Sequence, residues 1–551
     1  MIKKILLTFF VLNFFTFSQV DDLSVDHKAY PFLERMAALH LITDFNAFEI
    51  PFSRNKISNY LSQLNDNIDK LNEIDKKILS DLLFEFQIEL KNSDTNFVSL
   101  LGSTKNYNPF ENSSRRFFYY EHFDKTFLAV NLIGFGTALQ NRNNLFKGNA
   151  LLIGFGGQIR GSVNEHFGFF IEGTNGRLIG DKKSALAKRE LVYNYKFNEA
   201  HNVNFYDETR GYIRADFDFV NFKFGRDRKL IGHGIQKEFI SDNSQMFDFI
   251  EFNLHYSNLS FSYFHGKLHG RKFTKIDSVS GGINTVENKF IGYHRIGFNP
   301  SNDFQLGVGE MIIYANRSID LGYLNPFVFY KTIEHENQDR DNSILFLDLK
   351  NNSIKGVNFF LTLLIDDLSA GKIGKGWWGN QVLWNFSTSV YEAIDCVPID
   401  FHFEYTRIEP YVFTHRLNSN NFTNSSFNLS QFNFPNSHTF YFQADYRISN
   451  RINGAVSYDY TVHGANLLDA NGIVIKNVGG DVNLGHRTQD ATEVKFLDGV
   501  KNYYKRFVVY LRYEPFNDFF INFQIENWNQ KPEVVLENNR WFFQLNTNIK
   551  I

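Results

Sequence analysis

The final segment of the chain, WFFQLNTNIKI, alternates without a break. Trp541, Phe543, Leu545, Thr547, Ile549 and Ile551 fall on one face, and Phe542, Gln544, Asn546, Asn548 and Lys550 fall on the other, mostly polar, face. A period of two predicts a strand with one face in an apolar medium and the other in water. The pattern recurs upstream. In TFYFQADYRI, Phe440, Phe442, Ala444, Tyr446 and Ile448 alternate with Tyr441, Gln443, Asp445 and Arg447. RFVVYLRY and DFFINFQIEN repeat it, the first through Phe507, Val509, Leu511 and Tyr513, the second through Phe519, Ile521, Phe523 and Ile525. FLAVNLIGFGTAL, ALLIGFGGQIRGS and HFGFFIEGT begin the series after about residue 115. Charges recurring on one face of successive strands do not suit a soluble core; they suit the polar lumen of a membrane barrel. At about 25 residues per strand and connection, the region from 115 onward predicts an all-β transmembrane barrel of roughly 16 to 18 antiparallel strands. The terminal strand is expected to pair with the first, near residue 120. No internal repeat of fixed period occurs, which argues against a propeller or solenoid.

Before the barrel the period is 3.6. SVDHKAYPFLERMAALHLI places Phe32, Leu33, Met36, Leu39 and His40 at helical spacing. A second helix follows Pro51 and Ser53 with Ile57, Tyr60, Leu61 and Leu64 on one face, and a third carries Ile74, Ile78, Leu82 and Leu83. Three short amphipathic helices form a bundle too small to be secure alone, so it is expected to dock on something larger as a periplasmic cap or plug.

The N-terminus sets the compartment. Met1–Lys4 is a basic start, Ile5–Phe17 is largely apolar, and Thr16 and Ser18 sit at the −3 and −1 positions of a cleavage site. The expected organisation is a signal peptide over 1–18, a periplasmic helical bundle over 19–98 and an outer-membrane barrel over 99–551. Composition agrees, with 62 Phe, 26 Tyr and 21% charged residues at a mean hydropathy of −0.30. Half the strand residues of a barrel face lipid and half face water, so its average looks soluble. A single cysteine, Cys396, rules out a disulfide framework and reads as a small buried residue. A net charge of −3 argues against nucleic acid as a partner.

Three clusters stand out. VNFKFGRDRKLIGHGIQKEFISDNSQMFDFIEF (220–252) gathers Arg226, Asp227, Arg228, His233, Glu238, Ser241 and Asp242. This is either a polar lumen site for an anionic or hydroxyl-rich ligand, or a charged ladder that holds an inward loop, the commoner use of charge in barrels. Around Tyr323–Pro326, a second cluster gathers Glu334, His335, Glu336, Asp339 and Asp341. Such side chains can hold Ca²⁺, but the spacing is not that of an EF-hand, and an acidic solvated loop is the simpler reading; neither a metal nor another cofactor is expected. The third, LTLLIDDLSAGKIGKGWWGNQVLW (361–384), places Asp366 and Asp367 before Trp377 and Trp378. Trp faces stack on sugars while carboxylates bind hydroxyls, and an interfacial aromatic girdle is the equal alternative. The Asn-rich stretches 418–436 and 477–490 read as long extracellular loops. No G-x-S-x-G, H-E-x-x-H or Walker pattern is present, so the expectation is not an enzyme.

The order of these motifs resembles the Wzi-type capsule-assembly family of outer-membrane proteins. The residues carrying the likeness are FGRDRKLIGHG…ISDNSQMFD (224–248), HRIGFNP…LGVGEMIIYANR…YLNPF (294–327), DN (341–342) and LIDD (364–367), with ERMAALHLIT and PFSRNKISNYL near the start. The resemblance spans most of residues 30–450. It implies a barrel of roughly 18 strands with a periplasmic helical bundle, embedded in outer-membrane lipid, and a non-enzymatic role in binding and retaining surface polysaccharide. The Phe-, Asn- and Lys-rich composition also resembles chains of gliding Bacteroidetes, which implies motility or adhesion machinery as a partner. The chain departs from the pattern in ending on Ile551 and in its Asn-rich loops, so loop-borne specificity is not carried over. Trp377, Trp378, Asp366 and Asp367 are the expected polysaccharide contacts. Arg226, Asp227, Arg228, His233, Glu238 and Asp242 are expected in the lumen. The rival from another class is an open diffusion channel lined by those lumen charges.

Overall fold

The computed structural model describes residues 21–90, 97–101 and 115–551, apart from 124, 144–145, 165, 200–201, 218, 280, 395–396, 433 and 534–537. The expected signal peptide and Cys396 lie outside the described residues. Eighteen antiparallel strands close into one barrel. The first six are β1 (Thr126–Asn143), β2 (Lys147–Val163), β3 (Phe167–Gly180), β4 (Phe205–Asp216), β5 (Val220–Asp227) and β6 (Phe247–Tyr256). Then come β7 (Leu259–Asp277), β8 (Gly281–Ser301), β9 (Phe304–Ala315), β10 (Asn342–Asn351), β11 (Val357–Asp367) and β12 (Gln381–Val390). The last six are β13 (Ile399–Ile408), β14 (Ser437–Arg447), β15 (Ile452–Ala465), β16 (Val500–Phe516), β17 (Phe519–Pro532) and β18 (Asn538–Lys550). The closing strand pairs with β1 from Lys550↔Ile133 to Arg540↔Asn143, further along than residue 120. The strand Tyr119–Phe123 instead pairs with the first residues of β1.

The period of two becomes lipid-facing and lumen-facing rows. Leu132, Ile153, Phe155, Ile171, Ile213, Phe224, Trp541 and Leu545 are exposed on the outer face, as a hydrocarbon solvent requires. None of the described helices is long and apolar enough to cross a membrane; the strands do the crossing, and the protein resides in the outer membrane. Short turns after β2, β4, β6, β8, β14 and β16 gather at one end, the periplasmic one in such barrels. The long connections after β3, β5, β9, β13 and β15 gather at the other.

The three expected helices are α1 (Ala29–Ala38), α2 (Arg54–Asn65) and α3 (Glu73–Glu85). Ser53 caps α2 by accepting the Lys56 N–H at 3.3 Å, and Asn72 caps α3 by accepting the Asp75 N–H at 2.9 Å. Leu33, Met36, Ile57, Leu61, Leu64, Leu79 and Leu82 form their common core. The buried face of α3 is Asp75, Leu79 and Leu82, with Ile78 and Leu83 only partly buried. It is turned from the expected one because Asp75 is drawn inward by the Arg35 guanidinium at 2.5 Å.

The bundle covers the short-turn end. The Asn352 side-chain amide donates to Ala37 O at 3.0 Å, Asn450 to Asp81 at 2.8 Å, and Lys28 to Glu514 at 2.6 Å. The segment entering this cap is clamped to the inner wall. Asp22 binds Arg214 and Lys223 at 2.6 Å each, and its N–H donates to the Tyr212 hydroxyl at 2.7 Å. Asp21 binds Arg160 at 3.0 Å. These ions are buried and mutually matched, the arrangement in which removing one partner is costly.

Candidate functional site

The connection from β5 to β6, residues 228–246, does not rise over the rim; it folds into the lumen. Gly232 and Gly234 have φ values of +134° and +62°, and a Cβ on either would collide with the Glu238 or Glu404 carboxylate. The turn therefore closes around two acids. Glu238 accepts the His233 N–H at 3.0 Å, and Glu404 of β13 accepts the Ile235 N–H at 2.5 Å. His233 sits between the rings of Phe48 and Phe360, with centroids 4.7 and 4.8 Å away, and meets Asp348 at 3.2 Å. Asp348 is in turn held by both arms of Arg295 at 2.7 and 2.8 Å.

A second inward loop, residues 409–436, packs beside the first. Asp366 is buried and accepts the Phe413 N–H at 2.7 Å. The Ser241 N–H donates to Leu429 O at 2.9 Å, and the Asn243 amide reaches Ser430 O and Gln431 O at 3.0 and 2.8 Å. Phe48, which arrives from the helical cap, joins Ile231, Phe239, Phe346, Phe413 and Phe422 in one apolar core inside the barrel. Glu49–Ile50 of the cap forms a two-stranded ladder with Leu230–Ile231 of the inward loop. Cap and loops thus meet within the lumen.

This corrects the reading of 418–436 as an extracellular loop, and its physical reason lies in the asparagines. Asn428 donates to Phe432 O at 2.8 Å, Asn436 to Gly464 O at 2.9 Å, and Asn421 to Val482 O at 3.2 Å. Their amides satisfy backbone groups that burial would otherwise leave unpaired. The 477–490 stretch lies on this plug, tied to it by the Tyr411 N–H donating to Gly479 O at 3.0 Å and the Asn483 amide donating to Ser426 O at 3.3 Å.

The other singled-out residues separate. Alternation puts Lys223 and Asp227 on the inner face of β5 and joins them at 2.7 Å. Arg226 lies on the outer face, bidentate to Asp248 of β6 at 2.8 Å. Arg228 leaves the wall toward Glu208 at 3.5 Å. Asp367 is exposed and accepts the Leu368 N–H at 2.8 Å, away from its buried neighbour Asp366. Trp378 stacks on His486 at 3.9 Å, and Trp377 lies under the Lys372 ammonium at 3.9 Å. Much of each indole is therefore covered by the chain itself. In the acidic segment, Asp341 is clamped by Arg317 at 2.6 Å and takes the Tyr323 hydroxyl at 2.8 Å. Among the described residues no group of three His, Cys, Asp or Glu is arranged to hold a metal. One Ser–His–Asp chain spans β12 to β14: Ser389 Oγ lies 2.7 Å from His402 Nδ1, and His402 Nε2 lies 3.0 Å from Asp445. Ser389 is buried and also engages the Tyr391 hydroxyl.

A cavity of about 1200 Å³ opens at the long-loop end. Asp242, Arg226 and Arg228 line it together with Asn194, Thr209, Ser244 and Thr274. Asp21, Asp22 and Phe48, which carry the cap onto the inner wall, belong to no motif in the sequence. The signal for the plug was present in β10 and β11, whose sequences SILFLDL and FFLTLLI are apolar on both faces.

No family model matches the chain, and no curated protein matches its sequence. Its fold is similar to that of Wzi from Escherichia coli, described as an outer-membrane protein involved in group 1 capsule assembly and a carbohydrate-binding β-barrel. The TM-score is 0.54 at 10% identity, covering 95% of this chain and 98% of that one. OpdK from Pseudomonas aeruginosa, solved with vanillate, gives 0.46 at 9% identity over 77% and 99% of the two chains. OccAB4 from Acinetobacter baumannii gives 0.46 at 10% over 81% and 100%.

Proposed function

We propose that this outer-membrane barrel is a non-enzymatic anchor that binds surface polysaccharide and helps retain it at the cell surface, in a motility or adhesion setting. One observation carries the reading: cap and inward loops meet inside the lumen through Phe48 and the ladder of Glu49–Ile50 with Leu230–Ile231. A channel needs a continuous wet path, whereas a surface anchor needs a rigid platform for its long loops. The likeness in fold to a carbohydrate-binding barrel supports the same reading.

The rival channel reading has its own observation. The inner faces of β15 to β17 are polar, and a cavity of about 290 Å³ lies beside them, lined by Tyr504, Arg506, Glu526 and Trp528. Single-channel recording in planar bilayers separates the two. The anchor is expected to show no large steady conductance, and such a conductance would overturn it. In parallel, a deletion strain is expected to shed surface polysaccharide and to spread less, and unchanged retention would count against polysaccharide as the partner. For the non-enzymatic part, Ser389→Ala is expected to leave retention unchanged and to abolish no ester hydrolysis. Turnover that disappears in this variant would make the protein a hydrolase.

A further inference from the structure

A closed barrel has no sheet edges, yet this one has two at its rim. β5 ends at Asp227 and β6 begins at Phe247, while their neighbours run on. The β4 pairing with β5 stops at Gly211↔Arg226, so Phe205–Arg210 has a strand partner only in β3. The β7 pairing with β6 stops at Lys267↔Asp248; beyond it β7 pairs with β8 as a strand, while His269 bonds Asn424 and Ser425 of the second inward loop. Two missing strands leave a notch about 14 Å wide, and six residues of β4 make it about 20 Å deep. The cavity of about 1200 Å³ fills this notch. Its back wall is the inward loop, through Leu230 and Ile240, and the start of β6 at Phe247, all buried. It therefore opens sideways and upward.

The floor of the notch coincides with the top of the lipid-facing band. On β5 the exposed outward residues Phe222 and Phe224 are followed by Arg226; on β6, Ile250 gives way to Asp248. A charge pair at the next outward position marks where hydrocarbon ends and headgroups begin. Whatever occupies the notch sits at headgroup depth and is reachable from the plane of the membrane.

The lining also specifies chemistry. Its cations are already matched: Arg226 with Asp248 at 2.8 Å, Lys229 with Glu251 at 2.5 Å, and Arg271 with Glu287 at 2.9 Å. Between these pairs lie hydroxyls and amides, including Thr209, Ser244, Gln245 and Thr274. Paired cations, carboxylates and short donors and acceptors suit a hydroxylated, uncharged ligand better than a polyanion.

We propose that the rim notch binds neutral sugar residues of a glycan anchored in the outer leaflet, delivered laterally. The proposal rests on the polysaccharide-binding reading above and names the form in which the glycan arrives. Lipid anchorage confines the sugar to the depth of the notch, so its effective concentration there exceeds that of a free chain.

The test uses the full chain in phosphatidylcholine vesicles, with Thr274→p-benzoylphenylalanine as a photo-crosslinker. The probes are smooth lipopolysaccharide of the producing strain and the polysaccharide freed from it by mild acid. At equal sugar concentration, the anchored form is expected to crosslink at least about 10-fold more than the free chain. Arg228→Ala with Asp242→Ala is expected to cut that yield at least about 5-fold, and raising salt to about 0.5 M to change it less than about 2-fold. Equal yields from both probes would overturn lateral delivery, and a steep loss with salt would overturn the neutral-sugar assignment. Polysaccharide bound elsewhere, with no crosslink at Thr274, would overturn the notch while leaving the polysaccharide reading standing. If neither probe binds anywhere on the protein, both fall.

Discussion

The two halves of the barrel wall show the same face to lipid and opposite faces to the lumen. From β6 to β13 the inward positions include Phe247, Phe249, Phe264, Ile291, Met311, Phe346, Leu364 and Leu383 of the plug core, beside buried polar residues such as Asp348, Asn385 and Glu404. From β15 to β18 they are Ser457, Asp459, Arg506, Gln524, Glu526, Gln544 and Asn546, and no inward loop packs an apolar core against them. The difference shows what decides the inner face of such a barrel. Where the chain folds back into the lumen, the wall becomes one layer of a protein core, with apolar inward positions packed against the plug and the buried polar ones paired to it. Where water remains, alternation survives. The dry wall is held mainly by dispersion and desolvation, with the His233–Asp348–Arg295 network buried inside it. The segment entering the cap is held to β2, β4 and β5 by buried ion pairs.

The largest expected effect tests the dry side. Phe239 and Phe346 pack 4.7 Å apart across the plug–wall contact. Each Phe→Ala truncation is expected to cost about 3–5 kcal/mol, and the pair together more than either. Urea unfolding of the refolded barrel reads this out; a double variant as stable as the parent would remove the plug core as an organising element. Next comes Asp22→Ala, which strips Arg214 and Lys223 of one buried carboxylate each. The cost is expected at the lower end of about 3–5 kcal/mol, because Asp216 and Asp227 still partner those cations. Faster protease cleavage of the α1–α3 cap measures it, and an unchanged rate would show that the clamp holds nothing.

Acid sharpens the contrast. In the cap, burial opposes ionisation of Glu85 and Glu89. For Glu85 it is outweighed by His27, Arg54 and Arg115, which hold the carboxyl well below its usual range. Arg54, Arg160 and Arg115 likewise lower Glu89. Carboxyls depressed in the folded state stabilise fully above their ordinary pKa of about 4.5, and that stability is lost as pH falls below it. Cap protection from hydrogen exchange is thus expected to fall below about pH 4.5 while the Phe239–Phe346 core stays protected. Simultaneous loss in both regions would erase the distinction. The smallest effect is expected from Gln524→Ala on the wet wall, within about 0.5 kcal/mol by the same urea assay.

Much of the fold was legible because it depends on local periodicity. The period of two in WFFQLNTNIKI gave the closing strand and the face it turns to lipid, and Pro51 and Ser53 marked the start of α2. The site was less legible. Arg226, Asp227 and Arg228 are adjacent in sequence, yet strand alternation and the end of β5 send them to the outside, the lumen and the rim notch. The asparagines of 418–436 looked like solvated loop residues. Only the inward path of the loop turned them into partners for buried backbone.

By itself, the sequence determined that this chain is a membrane barrel with a helical cap, because a period of two and one of 3.6 are set by backbone geometry residue by residue. It did not determine where the long connections go. That depends on whether their Phe and Leu side chains find the inner wall, a contact between residues such as Phe48, Phe239 and Phe346 that lie far apart along the chain. The notch has the same origin. Short strands can be read one at a time, but an opening exists only once β4 and β7 stand on either side of it.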